Sequence, residues 1–81
     1  MTYSEVEGIV KEVIAKQLSM EATGINLESR LVEDLGIDSF GSVEVAFELE
    51  EKFDIKIPDA ALYEAKTVKN IVDYIASQKV G

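Results

Sequence analysis

Residues 31–53 read LVEDLGIDSFGSVEVAFELEEKF, and at Ser39 a loop hands over to a helix. Asp38 and Ser39 are residue types preferred at a helix N-cap. From Ser39 to Phe53 the apolar residues recur at helical rather than strand spacing. On a wheel of about 100° per residue, Val45, Ala46, Leu49 and Phe53 share one face, with Ser42 beside them. Phe40, Val43 and Phe47 share the opposite face, among Glu44, Glu48 and Glu51. One apolar stripe is enough to join a small bundle, so the second stripe requires a reason. Either the long loop buries this helix on both sides, or the stripe is an exposed apolar strip rimmed by acids. The latter is the layout of an interaction surface.

Two further long helices flank this one. Towards the N-terminus, Val6, Ile9, Val10, Val13 and Ile14 repeat at helical spacing and predict a helix over 4–18. Thr2 or Ser4 can cap it, and Thr2 with Glu5 fits a capping box. Lys11 and Lys16 lie off its stripe. Residues 19–38 form a long connection containing Gly24, Asn26 and Gly36. Such a loop must be pinned to stay ordered, and Ile25, Leu27, Leu31, Leu35 and Ile37 are the pins. Beyond Phe53, Pro58-Asp59 signals a turn into a short helix over 59–63, with Asp59 as its cap. Thr67 caps a last helix over 67–78, whose Val68, Ile71, Val72, Ile75 and Ala76 repeat at i, i+3, i+4, i+7 and i+8. No strand or hairpin signal appears. The expected fold is all-α: a small bundle of three main helices and one short helix, with a long loop between helices one and two. The length of 81 residues allows one domain, residues 1–81.

Composition excludes several classes of function. The chain has no Cys and no His, so disulfides, thiolate metal sites, and Ser-His or Cys-His catalysis are impossible. Its net charge of −8 repels phosphate backbones and anionic membranes, so neither nucleic acid nor membrane insertion is expected. No apolar run approaches the roughly 20 residues of a membrane span. No signal peptide is read at the N-terminus, and the expected location is the cytoplasm. The acidity is concentrated: Glu33, Asp34, Asp38, Glu44, Glu48, Glu50, Glu51 and Asp54 face Lys52 alone between residues 33 and 54. That cluster is either a solvated helix face or a docking surface for basic partners.

Ser39 has two compatible readings, a helix cap and a covalent attachment point. A lone nucleophilic side chain in an acidic field, with no neighbouring base, suits attachment better than catalysis. The loop fails as a calcium site. Counting from Asp34, an EF-hand would need Gly at its sixth position and Glu at its twelfth, where the chain has Ser39 and Val45. No metal site is indicated. Paired carboxylates can do acid–base work, but here they are spread along a helix, and the chain is not expected to be an enzyme.

LVEDLGIDSFGSVEVAFELEEKFDIKIPD resembles the acyl carrier proteins of fatty acid and polyketide synthesis. The similarity extends over the amphipathic first helix, the long loop, the IPD turn and the TVKNIVDYI helix, and so over essentially the whole chain. The resemblance implies that Ser39 receives 4′-phosphopantetheine from coenzyme A through a phosphopantetheinyl transferase, to which Asp38 helps present the site. The arm ends in a thiol that carries acyl groups as thioesters, which agrees with a chain that has no thiol of its own. The resemblance also implies a monomeric carrier that catalyses nothing and serves acyl-transferring and synthase enzymes with basic docking patches. Phe40, Val43, Glu44, Phe47, Glu50 and Glu51 would be the contacts, and the core face of helix two would line a space for an acyl chain. Phe40 stands where Leu is usual, Gly41 where an acid is common, and Glu48 where a small apolar residue is common. Ala60, Ala61 and Leu62 make the third helix more apolar than in many relatives. These departures point to a carrier dedicated to one specialised lipid pathway. An aminoacyl or peptidyl carrier is the alternative reading, and an unmodified acidic protein-interaction domain the third.

Overall fold

In a computed structural model that describes residues 1–79, the chain forms four α-helices: α1 (Tyr3–Leu18), α2 (Ser39–Phe53), α3 (Asp59–Glu64) and α4 (Val68–Lys79). The all-α expectation holds, and each boundary falls within a residue or so of the one read from the sequence. The caps explain why. Thr2 accepts from the Glu5 backbone N–H while the Glu5 carboxylate accepts from the Thr2 N–H at 2.8 Å, a complete capping box. Thr67 Oγ1 accepts from the Asn70 N–H, and the Asn70 side-chain oxygen takes the Thr67 and Lys66 N–H groups in return. One cap differs. Pro58 holds the N-cap position of α3, no side chain caps it, and Asp59 is already helical. Proline's fixed φ suits the extended backbone there, and Asp59 instead places its charge in the first turn, where the helix dipole favours an anion.

The core is continuous and apolar. Val6, Val10, Val13 and Ile14 of α1 pack with Val45, Leu49 and Phe53 of α2 and Val68, Ile71, Val72 and Ile75 of α4. Ile9, expected in the stripe, is only half-buried, while Ala15 is buried. No charged or polar residue is buried among the described residues.

Helix α1 packs closely against both α2 and α4, whereas α2 and α4 approach each other far less. The gap between them is covered by the long loop and by α3. The loop is pinned as expected by Ile25, Leu31 and Ile37, with Leu27 and Leu35 half-buried. It is also held by backbone bonds that the sequence did not announce. Leu31 N–H donates to Lys66 O at 2.9 Å, Val68 N–H to Ser29 O at 3.1 Å, and Lys69 N–H to Leu27 O at 2.9 Å. Arg30 and Thr67 form one isolated antiparallel bridge. The final turn before α2 closes on itself, with Gly36 at φ 68°, a left-handed conformation that a residue with Cβ adopts only with strain.

Candidate functional site

Helix α2 begins at the site. Asp38 is its N-cap, and the Asp38 carboxylate accepts from the Gly41 N–H at 2.7 Å. Capping therefore belongs to Asp38 alone, and Ser39 is the first helical residue. Gly41 has a local reason: a Cβ there would lie 3.1 Å from the capping oxygen. The Ser42 hydroxyl donates back to Asp38 O at 2.8 Å and closes the first turn. Ser39 is exposed, and its hydroxyl has no hydrogen-bond partner among the described residues.

Ser39 borders a cavity of about 490 Å³ that fills the gap between α2 and α4. Leu31 and Ile37 wall it from the loop, Ala46 and Leu49 from α2, and Ile71 and Ile75 from α4. Among the described residues, no group of three acidic side chains converges so as to hold a metal ion.

The second apolar stripe of α2 lies in solvent. Phe40 is 73% exposed, Val43 46% and Phe47 63%, so the loop does not bury this helix on both sides. The acids beside the stripe have unequal roles. Glu51 is exposed. Glu44 accepts from Gln17 Nε2 at 3.0 Å, and Glu48 pairs with Lys16 at 3.4 Å, both tying α2 to the end of α1. Glu50 is half-buried and accepts from the Ile57 N–H at 2.7 Å, which anchors the turn into α3. Nothing in the sequence pattern announced that bond, which crosses a turn and has no local signature. Val32 and Tyr63, also exposed, line the cavity, and neither lies on a helical stripe that the sequence pattern singled out.

Asp34, Asp38 and Glu44, three of the clustered acids, each have a donor. Arg30 places its backbone N–H on Asp34 at 2.8 Å and forks its guanidinium across both carboxylate oxygens at 3.3 Å. Those bonds hold the Asp34 carboxyl below its usual range and raise Arg30. Far from this site, the Tyr3 hydroxyl donates to Asp73 at 2.6 Å, which ties α1 to α4. That bond, with some burial, pushes Tyr3 up to about 12. Asp73 is held below its usual range by Lys69 first and Tyr3 second.

Among the described residues, the bundle thus presents an exposed serine hydroxyl without a hydrogen-bond partner beside a largely apolar cavity. The family model for the phosphopantetheine attachment site matches residues 8–75. An acyl carrier protein of Helicobacter hepaticus is 49% identical over 70 residues, covering 86% of this chain and 92% of that one. One of Campylobacter jejuni subsp. doylei is 43% identical over 70 residues, covering 86% and 91%. A solved Mycobacterium tuberculosis chain, provisionally assigned as an acyl carrier protein, superposes with a TM-score of 0.85 at 32% identity, covering 90% and 97%. This chain belongs to the acyl carrier protein family, whose members are carriers rather than catalysts, work with synthases and transferases, and bear covalently attached 4′-phosphopantetheine. No helix among the described residues is long and apolar enough to cross a membrane.

Proposed function

We propose that residues 1–81 act as one acyl-carrier domain in which Ser39 bears the 4′-phosphopantetheine arm. The observation that carries this reading is the exposed, unbonded Ser39 hydroxyl at the mouth of the 490 Å³ cavity. The residues fit the group. The hydroxyl is open to a transferase, and a phosphodiester at the first helical residue sits where the α2 dipole favours negative charge. In the loading step, Ser39 Oγ forms a bond to phosphorus and the pyrophosphate bond of coenzyme A breaks. Adenosine bisphosphate leaves, and the hydroxyl proton passes to a base on the transferase. Asp38 fixes the start of α2 through Gly41 and so sets the direction in which Ser39 points. Once bound, the arm supplies the thiol that this chain lacks and holds acyl groups as thioesters.

Partner enzymes with basic patches dock on Phe40, Val43, Phe47, Glu44 and Glu51. Glu50 contributes more through the turn it anchors than through direct contact. Apolar contact ringed by charge supports this, because the stripe is exposed and the acids flank it. We further propose a cytoplasmic monomer serving fatty acid, polyketide or related lipid synthesis, with Phe40, Gly41 and Ala60–Leu62 marking a dedicated pathway.

The cavity favours acyl over aminoacyl cargo, since an ammonium group taken among Leu49, Ile71 and Ile75 would lose its water without a partner. Loading tests this. Offered to acyl-activating and amino-acid-activating enzymes, the arm-bearing chain is expected to take acyl groups and refuse amino acids. Aminoacyl loading without acyl loading would overturn the reading.

A further inference from the structure

A second hollow lies on the flank of α2 that faces the end of α1. It is a surface depression of about 250 Å³. It shares only Ile37 and Asp38 with the lining of the larger cavity. Glycines leave it open: Gly36 and Gly41 both line it, and neither has a side chain to fill it. On the helical wheel Glu44 stands about 40° from Phe40 and about 60° from Gly41, between the two. Phe40 and Glu44 are one turn apart and neighbours on the surface. The bare position at Gly41 therefore leaves both accessible from the side.

The hollow is charged as well as open. Two carboxylates line it, Asp38 and Glu44, and no Lys or Arg does. Asp38 accepts from the Gly41 N–H at 2.7 Å, and Glu44 accepts from Gln17 Nε2 at 3.0 Å. Each keeps its second oxygen without a donor among the described residues. Lys16, beside Gln17, is taken by Glu48 at 3.4 Å, one turn further along α2. Phe40, which also lines the hollow, is 73% exposed. At the roughly 30 Å³ share of a liquid water, 250 Å³ takes about eight non-hydrogen atoms, about the size of one arginine side chain.

We propose that this hollow is a socket for one arginine side chain of a docking partner protein. The proposal rests on the reading of α2 as the docking surface, and adds which residue type enters and where. A guanidinium is planar, delocalised and weakly hydrated. It can stack on the Phe40 ring while its N–H groups reach the remaining oxygens of Glu44 and Asp38. A lysine ammonium is a compact, strongly hydrated charge, which gains from the carboxylates but little from the ring. Phe40 and Gly41 are thus specificity-determining residues. The ring prefers arginine to lysine, and the glycine gives it room.

The test titrates the isotope-labelled chain, at low ionic strength, with N-acetylarginine amide and with N-acetyllysine amide, which carry the same charge. The arginine probe is expected to shift the backbone amides of Gly36, Phe40, Gly41 and Glu44. It is expected to bind about two- to fivefold more tightly than the lysine probe, the usual scale of an exposed cation–π contact. Phe40→Leu keeps the bulk and loses the ring. It leaves the core intact, because Phe40 lies in solvent, and is expected to abolish the preference. Glu44→Gln is expected to weaken both probes alike. Equal affinities in the parent, a preference that survives Phe40→Leu, or shifts spread evenly over the acids from residue 33 to 54 would each overturn the proposal. Docking itself is read separately, by titrating a broad-specificity phosphopantetheinyl transferase into Phe47→Ala, since Phe47 lies outside the hollow. Weaker binding than to the parent is expected there. That result without an arginine preference in the probes overturns the socket alone, whereas binding equal to the parent overturns the docking reading.

Discussion

At the scale of single residues, the start of α2 separates two roles that the sequence left joined. Asp38 caps and Ser39 is free. Asp38→Ala is therefore expected to cost about 1 kcal/mol, the usual loss for an N-cap, or roughly 4–8 °C in melting temperature for a domain of this size. Ser39→Ala is expected to stay within about 0.5 kcal/mol of the parent. Thermal unfolding of the two variants side by side checks this, and equal losses would return the cap to Ser39. Tyr3 offers a second check. Its pKa is raised from the ordinary 10.0 to about 12 by the bond to Asp73. The stability it contributes is thus fully present below about pH 10 and is lost as pH rises towards 12. Tyr3→Phe is expected to cost about 1 kcal/mol at neutral pH, with the gap to the parent closing through that window. A gap constant from pH 9 to 12 would contradict the bond. The capping pairs Thr2–Glu5 and Thr67–Asn70 were legible because each joins residues three apart. The acceptor role of Glu50 was not, because its donor Ile57 lies across a turn.

At the scale of elements, α2 carries the account, since one helix serves both the core and the surface. Its two stripes were readable from spacing alone, and so was their separation into opposite faces. Whether the loop covers the second stripe was not readable, because that depends on where the loop runs. The loop lies elsewhere, stitched to the start of α4 by backbone bonds whose pairing no side chain specifies. Asp59 was misplaced by one residue for a similar reason: Pro58 and Asp59 both suit a helix start, and only the backbone decides which is the cap. Two substitutions test the element level. Leu49→Ala removes a fully buried contact and is expected to cost about 2 kcal/mol, at the low end for such a change, because it opens into an existing cavity rather than creating one. Gly36→Ala is expected to cost about 1–2 kcal/mol, since φ is 68° there and the next residue is the core pin Ile37. Denaturant unfolding measures both, and a neutral Gly36→Ala would mean that the loop adopts another turn.

At the scale of the whole molecule, net charge and the proposed attachment site act together. Eight acids face one lysine between residues 33 and 54. Asp34, Glu44, Glu48 and Glu50 each have a donor, but the excess charge remains and opposes compaction. Raising ionic strength from about 0.01 to 0.15 M shortens the Debye length from about 30 to 8 Å, and the melting temperature is expected to rise with it. A melting temperature indifferent to salt and to divalent cations would show that the local donors already neutralise the repulsion. On the proposed reading, the same field steers basic partners towards α2, where the apolar strip makes contact. All of this serves one claim, that Ser39 is the point at which the arm is attached. The direct measurement is intact mass, with fragmentation to locate the change, after incubation with coenzyme A and a broad-specificity phosphopantetheinyl transferase. The account predicts a gain of one arm on Ser39 in the parent and none in a folded Ser39→Ala. An arm found on another hydroxyl, or no gain in a folded parent, would contradict it.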